Sequence, residues 1–296
     1  MLNSERQSSG IIGLGLLGTA IGRRLLGAGF AIVGFDVDPA ACARLLASGG
    51  LLKSSPDDVF ADTQTIILSL PNSEIVEQLL IDVSDSLRPD QTIINTTTGD
   101  PDQMVRIAGE LANRGLRYVE ANVAGSSVQL AEGQATLLLG GDQQNIAANA
   151  ELLAALSPKQ FHVGGAGFGA RFKLVHNLIL GLHRAVFAEG LSFAESLGFD
   201  PSLTLEILRQ TPASSQAMET KGEKMVQREY SPQAKLSQHL KDVRLILSLA
   251  DRSGANTPLS QLHCELLRQA EALGYGDLDN SSIREVYLES SEETPS

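Results

Sequence analysis

A regular alternation of short apolar runs with helix-like runs occupies residues 9–163 and constrains the fold more than any other feature of the chain. The runs SGIIGLG, AIVGFD, TIILSLP and QTIINTTT are typical of strands, and helical patterns such as LLGTAIGRRLLGAG and PDQMVRIAGELANRG stand between them. Strands that alternate with helices form crossover units, which place a mostly parallel sheet between two layers of helices. Residues 9–163 are therefore predicted to form a doubly wound α/β domain.

The pattern changes after residue 163, where a long helical stretch begins, AGFGARFKLVHNLILGLHRAVFAEGLSFAESLG. Further helical runs with Pro or Gly at their boundaries come next, among them PSLTLEILRQT and TPLSQLHCELLRQAEALG, without another strand pattern. Residues 164–286 are therefore predicted to form an all-helical second domain, joined to the first by the long helix. The two ends, residues 1–8 and 287–296, are predicted to be flexible tails.

The chain carries a net charge of −12, which argues against a nucleic-acid partner because phosphate backbones bind clustered lysines and arginines. No apolar run is long enough to cross a membrane, and the N-terminus MLNSERQSSG lacks the apolar segment of a signal peptide. Cys42 and Cys264 stand far apart, and no Cys/His cluster has metal-ligand spacing. We therefore expect a cytoplasmic protein with two reduced thiols, no bound metal and no membrane partner.

A glycine-rich segment follows the first predicted strand and opens a helix, which is the setting of a Rossmann-type dinucleotide site. It fits the pattern G-x-G-x-x-G, and its members are Gly13, Leu14, Gly15, Leu16, Leu17 and Gly18. The first glycine permits the tight turn, the second lets the backbone approach a pyrophosphate, and the third lets the helix pack close to the strand. In a chain with 28 glycines the pattern alone is weak, so the prediction depends on this context.

Asp36 ends the second predicted strand, 18 residues after Gly18. A carboxylate at this position accepts hydrogen bonds from the adenosine ribose and repels a 2′-phosphate. Val37 follows, where a chain that prefers NADP would more often have arginine. We therefore predict a preference for NAD over NADP. The alternative is that Asp36 caps the helix that starts at Pro39.

The long helix carries two kinds of side chain. At about 100° per residue, Lys173, Asn177, Gly181 and Arg184 fall on one stripe, while the apolar residues between Phe172 and Val186 fall on another side. Because most other positions are also apolar, the helix is predicted to be buried around most of its circumference. Its polar stripe then needs partners or a water-filled cleft, unless Lys173 reaches solvent and Asn177 bonds a neighbouring loop.

Four segments, taken together, resemble the β-hydroxyacid dehydrogenase family, which includes 3-hydroxyisobutyrate dehydrogenases and tartronate semialdehyde reductases. They are IIGLGLLGTAIGRRLLGAGF with Asp36, INTTTGDP, EANVAGSSVQLAEGQATLLLGG and GGAGFGARFKLVHN. A later segment, LKDVRLILSLA, resembles a further helix of the family. The resemblance covers residues 9–285 and implies a Rossmann-type domain, a long connecting helix and a helical domain, as the pattern itself predicts.

The resemblance implies a reaction that moves a hydride between a nicotinamide and the hydroxyl-bearing carbon of a small carboxylic acid. Lys173 matches the family's catalytic lysine, which exchanges a proton with the reacting oxygen in a cleft between the domains, and Asn177 matches the asparagine that positions substrate and lysine. The resemblance adds cofactor contacts at Leu70, Pro71, Thr98 and Lys241. It also implies a homodimer or a homotetramer.

The third segment departs from the family pattern D-A-P-V-S-G-G, because this chain has Glu120-Ala121-Asn122-Val123-Ala124-Gly125-Ser126. The resemblance places a substrate-carboxylate site at Val123, Ala124, Gly125 and Ser126. The change of serine to alanine removes one hydroxyl, which the following serines are expected to replace. Two other interpretations stay open, namely a relative of the imine reductases, which usually lack the lysine, and a dinucleotide-binding sensor or scaffold without catalytic activity.

Overall fold

The computed structural model describes residues 8–292, so residues 1–7 and 293–296 of the predicted tails lie outside the described residues. The chain divides into two compact units, Met1–Lys173 and Leu174–Ser296. The division falls inside the long helix, ten residues after the boundary predicted at 163. The predicted C-terminal tail begins within a helix, Glu285–Glu292.

The first unit is built on one mixed sheet, which has eight strands within the described residues. The strands are β1 Ser9–Ile12, β2 Ile32–Phe35, β3 Leu51–Leu52, β4 Thr65–Leu68, β5 Thr92–Asn95, β6 Arg117–Ala124, β7 Thr136–Gly141 and β8 Lys159–Gly164. Their order is β3-β2-β1-β4-β5-β6-β7-β8, and every neighbouring pair is parallel except β6 and β7. Because the order reverses direction between β1 and β4, the loops after these strands open a crevice at the carboxyl edge of the sheet, where such folds bind ligands.

Helices connect these strands, as crossovers except between antiparallel β6 and β7. They are α1 Leu16–Gly27, α2 Pro39–Ala47, α3 Pro56–Asp62, α4 Ser73–Asp82, α5 Pro101–Asn113, α6 Ser127–Ala131, α7 Gln143–Ala148 and α8 Ala150–Leu156, with a short 3-10 turn at Ser84–Ser86. Local chemistry explains where several begin: the side chains of Asp38, Asn72 and Asp100 accept hydrogen bonds from first-turn amides. Proline at the first position of α2, α3 and α5 has the backbone angle that a helix start needs.

Both faces of the sheet are buried, which accounts for the unbroken apolar runs of its central strands. Neighbouring residues point to opposite faces: Ile11 and Ile67 belong to one core cluster, whereas Ile12 and Ile66 belong to the other. The doubly wound fold predicted from the sequence is therefore confirmed.

The second unit is helical, as predicted. Helix α9, Phe168–Ser196, begins in the first unit and continues into the second, and the following helices are α10 Pro201–Arg209, α11 Gln216–Gln227, α12 Leu236–Ser253, α13 Pro258–Ala270 and α14 Glu285–Glu292. A π-helical turn, Glu271–Tyr275, extends α13, and a 3-10 helix, Asn280–Arg284, precedes α14. Their core contains Phe187, Leu191, Met225, Leu240 and Leu267. No helix within residues 8–292 is long and apolar enough to cross a membrane.

The burial of α9 contradicts the sequence prediction. Three of its apolar residues are about half exposed or more, with 51% for Val175, 49% for Ile179 and 67% for Val186. Its polar residues Asn177 and Arg184 are instead 8% and 5% exposed. The prediction that the helix is buried around most of its circumference is therefore wrong, because one apolar stripe faces outward while the polar side and other apolar residues, such as Phe187 and Leu191, are buried.

Candidate active site

The glycine loop between β1 and α1 has the shape of a phosphate cradle. Gly13 has φ +92°, and a Cβ there would overlap the carbonyl oxygen of Ser69. A Cβ at Gly18 would overlap the carbonyl oxygen of Gly13, so this glycine lets the helix start against the strand. A Cβ at Gly15 would meet no atom within 4 Å, which leaves open space where a pyrophosphate can approach. The residues at this loop therefore fit a dinucleotide.

Asp36 lies beside this loop rather than at the start of α2. Its carboxylate accepts hydrogen bonds from the amides of Leu14 at 2.5 Å and Asp38 at 2.8 Å. The cap of α2 is Asp38, whose carboxylate accepts from the amide of Ala40 at 2.9 Å. Asp36 is half-buried, and these bonds hold its carboxylate beside the glycine loop.

The loops after β4 and β5 are tied to each other by hydrogen bonds. The amide of Leu70 donates to Thr97 Oγ1 at 3.0 Å, and the amide of Thr97 donates to Asn95 Oδ1 at 3.0 Å. Asn122, which stands where the family has proline, donates from Nδ2 to the carbonyl oxygen of Thr97 at 3.0 Å. These bonds set the positions of Pro71 and Thr98, the residues that directly follow Leu70 and Thr97.

Lys173 is 9% exposed and directs its ammonium to the end of β6. Its Nζ donates to the carbonyl oxygen of Val123 at 2.6 Å. The alternative that this side chain reaches solvent is therefore wrong. The contact brings together two residues that sequence reasoning assigned to one substrate site, although 50 positions separate them.

Glu120 anchors the start of the helix that carries Lys173. Its carboxylate accepts hydrogen bonds from the amides of Gly167 at 2.5 Å and Ala170 at 2.9 Å. Burial raises the pKa of Glu120, and these amides act in the opposite direction. Sequence reasoning treated Glu120 only as part of a motif; a carboxylate inside an apolar strand was the signal for a buried partner.

The turn that follows Val123 is already ordered by its own residues. Gly125 has φ +150°, which favours glycine. Ser126 caps α6: its Oγ accepts from the amide of Gln129, and its own amide donates to Gln129 Oε1 at 2.8 Å. The Ser126 amide is therefore occupied, so it can donate to an anion at this turn only if Gln129 rearranges.

In the second unit, Asn177 is held by an acidic residue that sequence reasoning missed. Asn177 Nδ2 donates to Asp242 Oδ2 at 2.8 Å, and Asp242 Oδ1 lies 3.0 Å from Lys241 Nζ. Asp242 thus connects two residues that were predicted separately. Its signal was present in the segment LKDVRLILSLA, where it follows Lys241 directly.

The rest of the polar stripe of α9 lies against two histidines. A Cβ at Gly181 would overlap His239 and His263, so glycine leaves the room that these rings occupy. The two ring centroids are 5.2 Å apart. Arg184 is 5% exposed, and burial lowers its pKa to about 10, with Asp279 and Asp242 acting in the opposite direction. This part of the stripe is a buried structural cluster.

Two family models together match most of the chain. Residues 8–164 match the NAD binding domain of 6-phosphogluconate dehydrogenase, and residues 167–287 match the model described as the NAD-binding region of NADP-dependent 3-hydroxyisobutyrate dehydrogenase. The chain belongs to the β-hydroxyacid dehydrogenase family. As a member of this family it binds a nicotinamide dinucleotide, and the expected resemblance is confirmed.

Two relatives and one solved structure match along almost their whole length. Glyoxylate/succinic semialdehyde reductase 1 of Arabidopsis thaliana is 29% identical, over 94% of this chain and 97% of the relative. L-threonate dehydrogenase of Cupriavidus necator is 25% identical, over 94% of this chain and 95% of the relative. The crystal structure of a 3-hydroxyisobutyrate dehydrogenase from Salmonella typhimurium has a TM-score of 0.89 at 25% identity, covering 95% of this chain and 99% of that one.

Proposed function

We propose that the protein is an NAD-dependent oxidoreductase that interconverts a small 3-hydroxy acid and its semialdehyde, with Lys173 as general acid and base. The observation that carries the proposal is the buried ammonium of Lys173, bonded to the carbonyl oxygen of Val123 beside the turn at 124–126. A buried cation costs free energy unless it is hydrogen-bonded. A chain of this family that keeps such a group at this turn has a proton donor in place for a carbonyl oxygen.

The chemistry divides between the cofactor and this chain. The nicotinamide, when bound, supplies the hydride in reduction and accepts it in oxidation. Lys173 donates its proton from Nζ to the carbonyl oxygen of the substrate as the hydroxyl forms, and its neutral amine takes the proton back in oxidation. Val123 fixes the direction of Nζ through its carbonyl oxygen.

The remaining site residues are proposed to bind and orient. Val123, Ala124, Gly125 and Ser126 form the turn proposed for the substrate carboxylate, and Asn177 positions substrate through an amide held by Asp242. The names of the relatives support a small carboxylic acid or its semialdehyde as substrate, since they specify glyoxylate, succinic semialdehyde, L-threonate and 3-hydroxyisobutyrate.

The cofactor contacts are proposed on the same basis. They are Gly13, Leu14, Gly15, Leu16, Leu17, Gly18, Asp36, Leu70, Pro71, Thr98 and Lys241. Asp36 supports NAD over NADP because its carboxylate would face the 2′-phosphate, and like charges side by side cost several kcal/mol.

Replacing Lys173 tests the proton transfer. Lys173→Ala is expected to lower kcat by about 10² or more, while NADH binding followed by fluorescence changes little. The measurement is steady-state turnover of a panel of small semialdehydes with NADH and of 3-hydroxy acids with NAD. Lys159→Ala is the matched control, because Lys159 is exposed on β8. Near-normal turnover by Lys173→Ala contradicts the assignment.

The same panel run with NADPH tests the cofactor preference. We expect kcat/KM to be higher with NADH, and Asp36→Ser to narrow the difference because the repelling carboxylate is gone. Equal or better use of NADPH by the unchanged protein contradicts the preference for NAD. NADH binding without turnover of any substrate in the panel would instead favour the sensor or scaffold interpretation.

Two further properties belong to this proposal. A cytoplasmic location is supported by two free cysteines, half-buried Cys42 and buried Cys264. A homodimer or homotetramer is supported by the family resemblance. Cell fractionation tests the first, and light scattering of the purified chain tests the second.

A further inference from the structure

Two buried asparagines hold the backbone of Thr97, the residue directly before the proposed cofactor contact Thr98. The Thr97 amide donates to Asn95 Oδ1 at 3.0 Å, and the Thr97 carbonyl oxygen accepts from Asn122 Nδ2 at 3.0 Å. Both asparagines are 1% exposed. Strand β5 ends at Asn95, which pairs with Glu120 of β6, so β6 continues beside the following loop and brings Asn122 to Thr97. Side chains thus occupy both backbone hydrogen-bonding groups of Thr97.

The orientation of each side-chain amide is set by its partners. Asn95 directs its oxygen to the Thr97 amide, because its Nδ2 donates to Tyr118 Oη at 3.0 Å and to Met104 Sδ at 3.2 Å. A flipped Asn122 amide would place two carbonyl oxygens against each other at Thr97, so its Nδ2 faces that residue. One asparagine therefore acts as the acceptor and the other as the donor.

Stability alone does not explain an asparagine at position 122. Within the described residues, Asn122 Oδ1 is buried and accepts no hydrogen bond, and a Cβ at Gly169 in the first turn of α9 would come within 2.9 Å of it. A buried oxygen without a partner costs free energy, which a leucine of nearly the same shape would avoid. The proline of the family pattern has no side-chain donor for Thr97. The bond to Thr97 is therefore the feature that asparagine supplies.

These two bonds also set the direction of the next amide. The peptide between Thr97 and Thr98 is trans, so its carbonyl oxygen and its N–H point in opposite directions. Because the oxygen faces Asn122 on β6, the Thr98 N–H is directed away from β6. Strand β5 lies between β6 and β4, so this is the side of β4 and of the crevice between β1 and β4. The bond to Asn95 fixes the preceding peptide plane, which keeps Thr97 from turning.

We propose that Asn95 and Asn122 are positioning residues, which clamp Thr97 so that Thr98 holds the nicotinamide end of the cofactor. The inference rests on the proposed function, since it takes Thr98 as a cofactor contact. The glycine loop and Asp36 are proposed to hold the other end, the pyrophosphate and the adenosine ribose. Loss of the clamp therefore weakens the binding of the nicotinamide and leaves the binding of the adenosine end unchanged.

Calorimetric titration with NADH and with ADP-ribose, which lacks the nicotinamide, tests the clamp. Asn95→Leu and Asn122→Leu are each expected to raise the Kd of NADH about tenfold and that of ADP-ribose less than about twofold. Asn149→Leu is the matched control, because Asn149 is a buried asparagine that donates to the carbonyl oxygen of Asn145 at 2.8 Å, between α7 and α8. It is expected to change neither Kd. Equal changes for both ligands in the two clamp variants, or no change, overturn the proposal.

The double variant tests whether the two asparagines act through the same residue. Since both hold Thr97, Asn95→Leu/Asn122→Leu is expected to raise the Kd of NADH no more than about threefold beyond the larger single effect. Independent roles would instead multiply to about a hundredfold, and that result overturns the clamp. Asn95→Asp keeps an acceptor for the Thr97 amide, so its Kd should lie closer to that of the unchanged protein than the Kd of Asn95→Leu does. The reverse order contradicts the role of Asn95.

The clamp and the proposed reaction can fail separately, because these titrations need no turnover. Retained ADP-ribose binding shows that a variant is folded, and Asn122→Leu tests the clamp even if Asn95→Leu does not fold. Normal turnover by Lys173→Ala contradicts the proposed proton transfer and leaves the titrations valid. An unchanged Kd of NADH in Asn122→Leu overturns the clamp, while the assignment of Lys173 stands.

Discussion

At the scale of single residues, glycines of one loop serve different purposes. Gly18 is required by the protein itself, because a Cβ would overlap the carbonyl oxygen of Gly13. Gly15 is not, since the space beside it is open. Gly15 also lies at the carboxyl edge of the sheet and at the start of α1, where α/β folds bind phosphates, so the open space beside it fits a dinucleotide.

The two glycines predict opposite outcomes on substitution to alanine. Gly18→Ala is expected to destabilise the protein by about 2 kcal/mol through overpacking. Gly15→Ala is expected to leave stability nearly unchanged and to weaken NADH binding at least tenfold, about 1.4 kcal/mol. Urea unfolding and NADH titration measure the two effects. Unchanged NADH affinity in Gly15→Ala contradicts the proposed phosphate cradle.

His263 predicts how stability depends on pH. Burial, with Arg184 as a second cause, lowers its pKa from 6.5 to about 4. The folded protein therefore resists protonation that the unfolded chain accepts, so stability contributed by the neutral ring is lost as pH falls from about 6.5 to about 4. In urea unfolding, the free energy of unfolding should fall less across this pH range for His263→Leu than for the unchanged protein. The difference is expected to be up to about 3 kcal/mol. If the free energy of unfolding depended on pH in the same way for both proteins, the role assigned to His263 would be contradicted.

At the scale of elements, Asp279 fastens the segment before α12 to the 3-10 helix at Asn280–Arg284. Its carboxylate accepts from the amide of Gln233 at 2.9 Å and from the hydroxyl of Ser281 at 2.8 Å. It also accepts from Lys221 Nζ of α11 at 2.8 Å, and both side chains of this ion pair are buried. Burial lowers the pKa of Lys221, while the pair with Asp279 opposes that shift.

Lys221 and Lys235 should differ in how much their ion pairs contribute to the stability of the protein. Lys221→Met leaves a buried carboxylate without its cation and is expected to destabilise the protein by about 3 kcal/mol or more. Lys235→Met breaks an exposed pair with Asp277 at 2.7 Å and is expected to cost less than about 1 kcal/mol. Urea unfolding compares them. Equal decreases in the free energy of unfolding for the two variants would contradict the role assigned to burial.

At the scale of the whole molecule, charge and the apolar stripe oppose each other. Each copy carries −12, so two copies repel, whereas burial of exposed apolar side chains of α9 such as Val186 would favour association. Repulsion between exposed charges is screened by salt, while apolar burial is not.

Association should therefore tighten as ionic strength rises. We expect the dissociation constant of the dimer, measured by sedimentation velocity, to fall between about 0.01 M and about 0.15 M salt, where the screening length shortens from about 30 Å to about 8 Å. Weaker association at higher salt would mean that ion pairs dominate the interface.

Much of the fold was predictable because its signals are local. Strands buried on both faces are mostly apolar, as Ile11 and Ile12 are, and helix starts carry caps or prolines. The two-residue strand β3 and the antiparallel pairing of β6 with β7 were not predicted, since neither has a periodic sequence signal of its own. In the candidate site, the hydrogen bonds of Glu120 and Asp242 to helix α9 were not predicted, because they join positions that are 50 and 65 residues apart in the sequence.

The sequence by itself determined that α9 has a polar stripe and an apolar side, because helical periodicity depends only on spacing. Only the tertiary structure decided which of them faces inward. Val123 and Asp242 give the polar stripe buried partners, so Lys173 and Asn177 are buried while Val175 and Val186 face outward. The reason is that the cost of burying an amine or amide depends on the acceptors supplied by distant segments, and these are set by the fold.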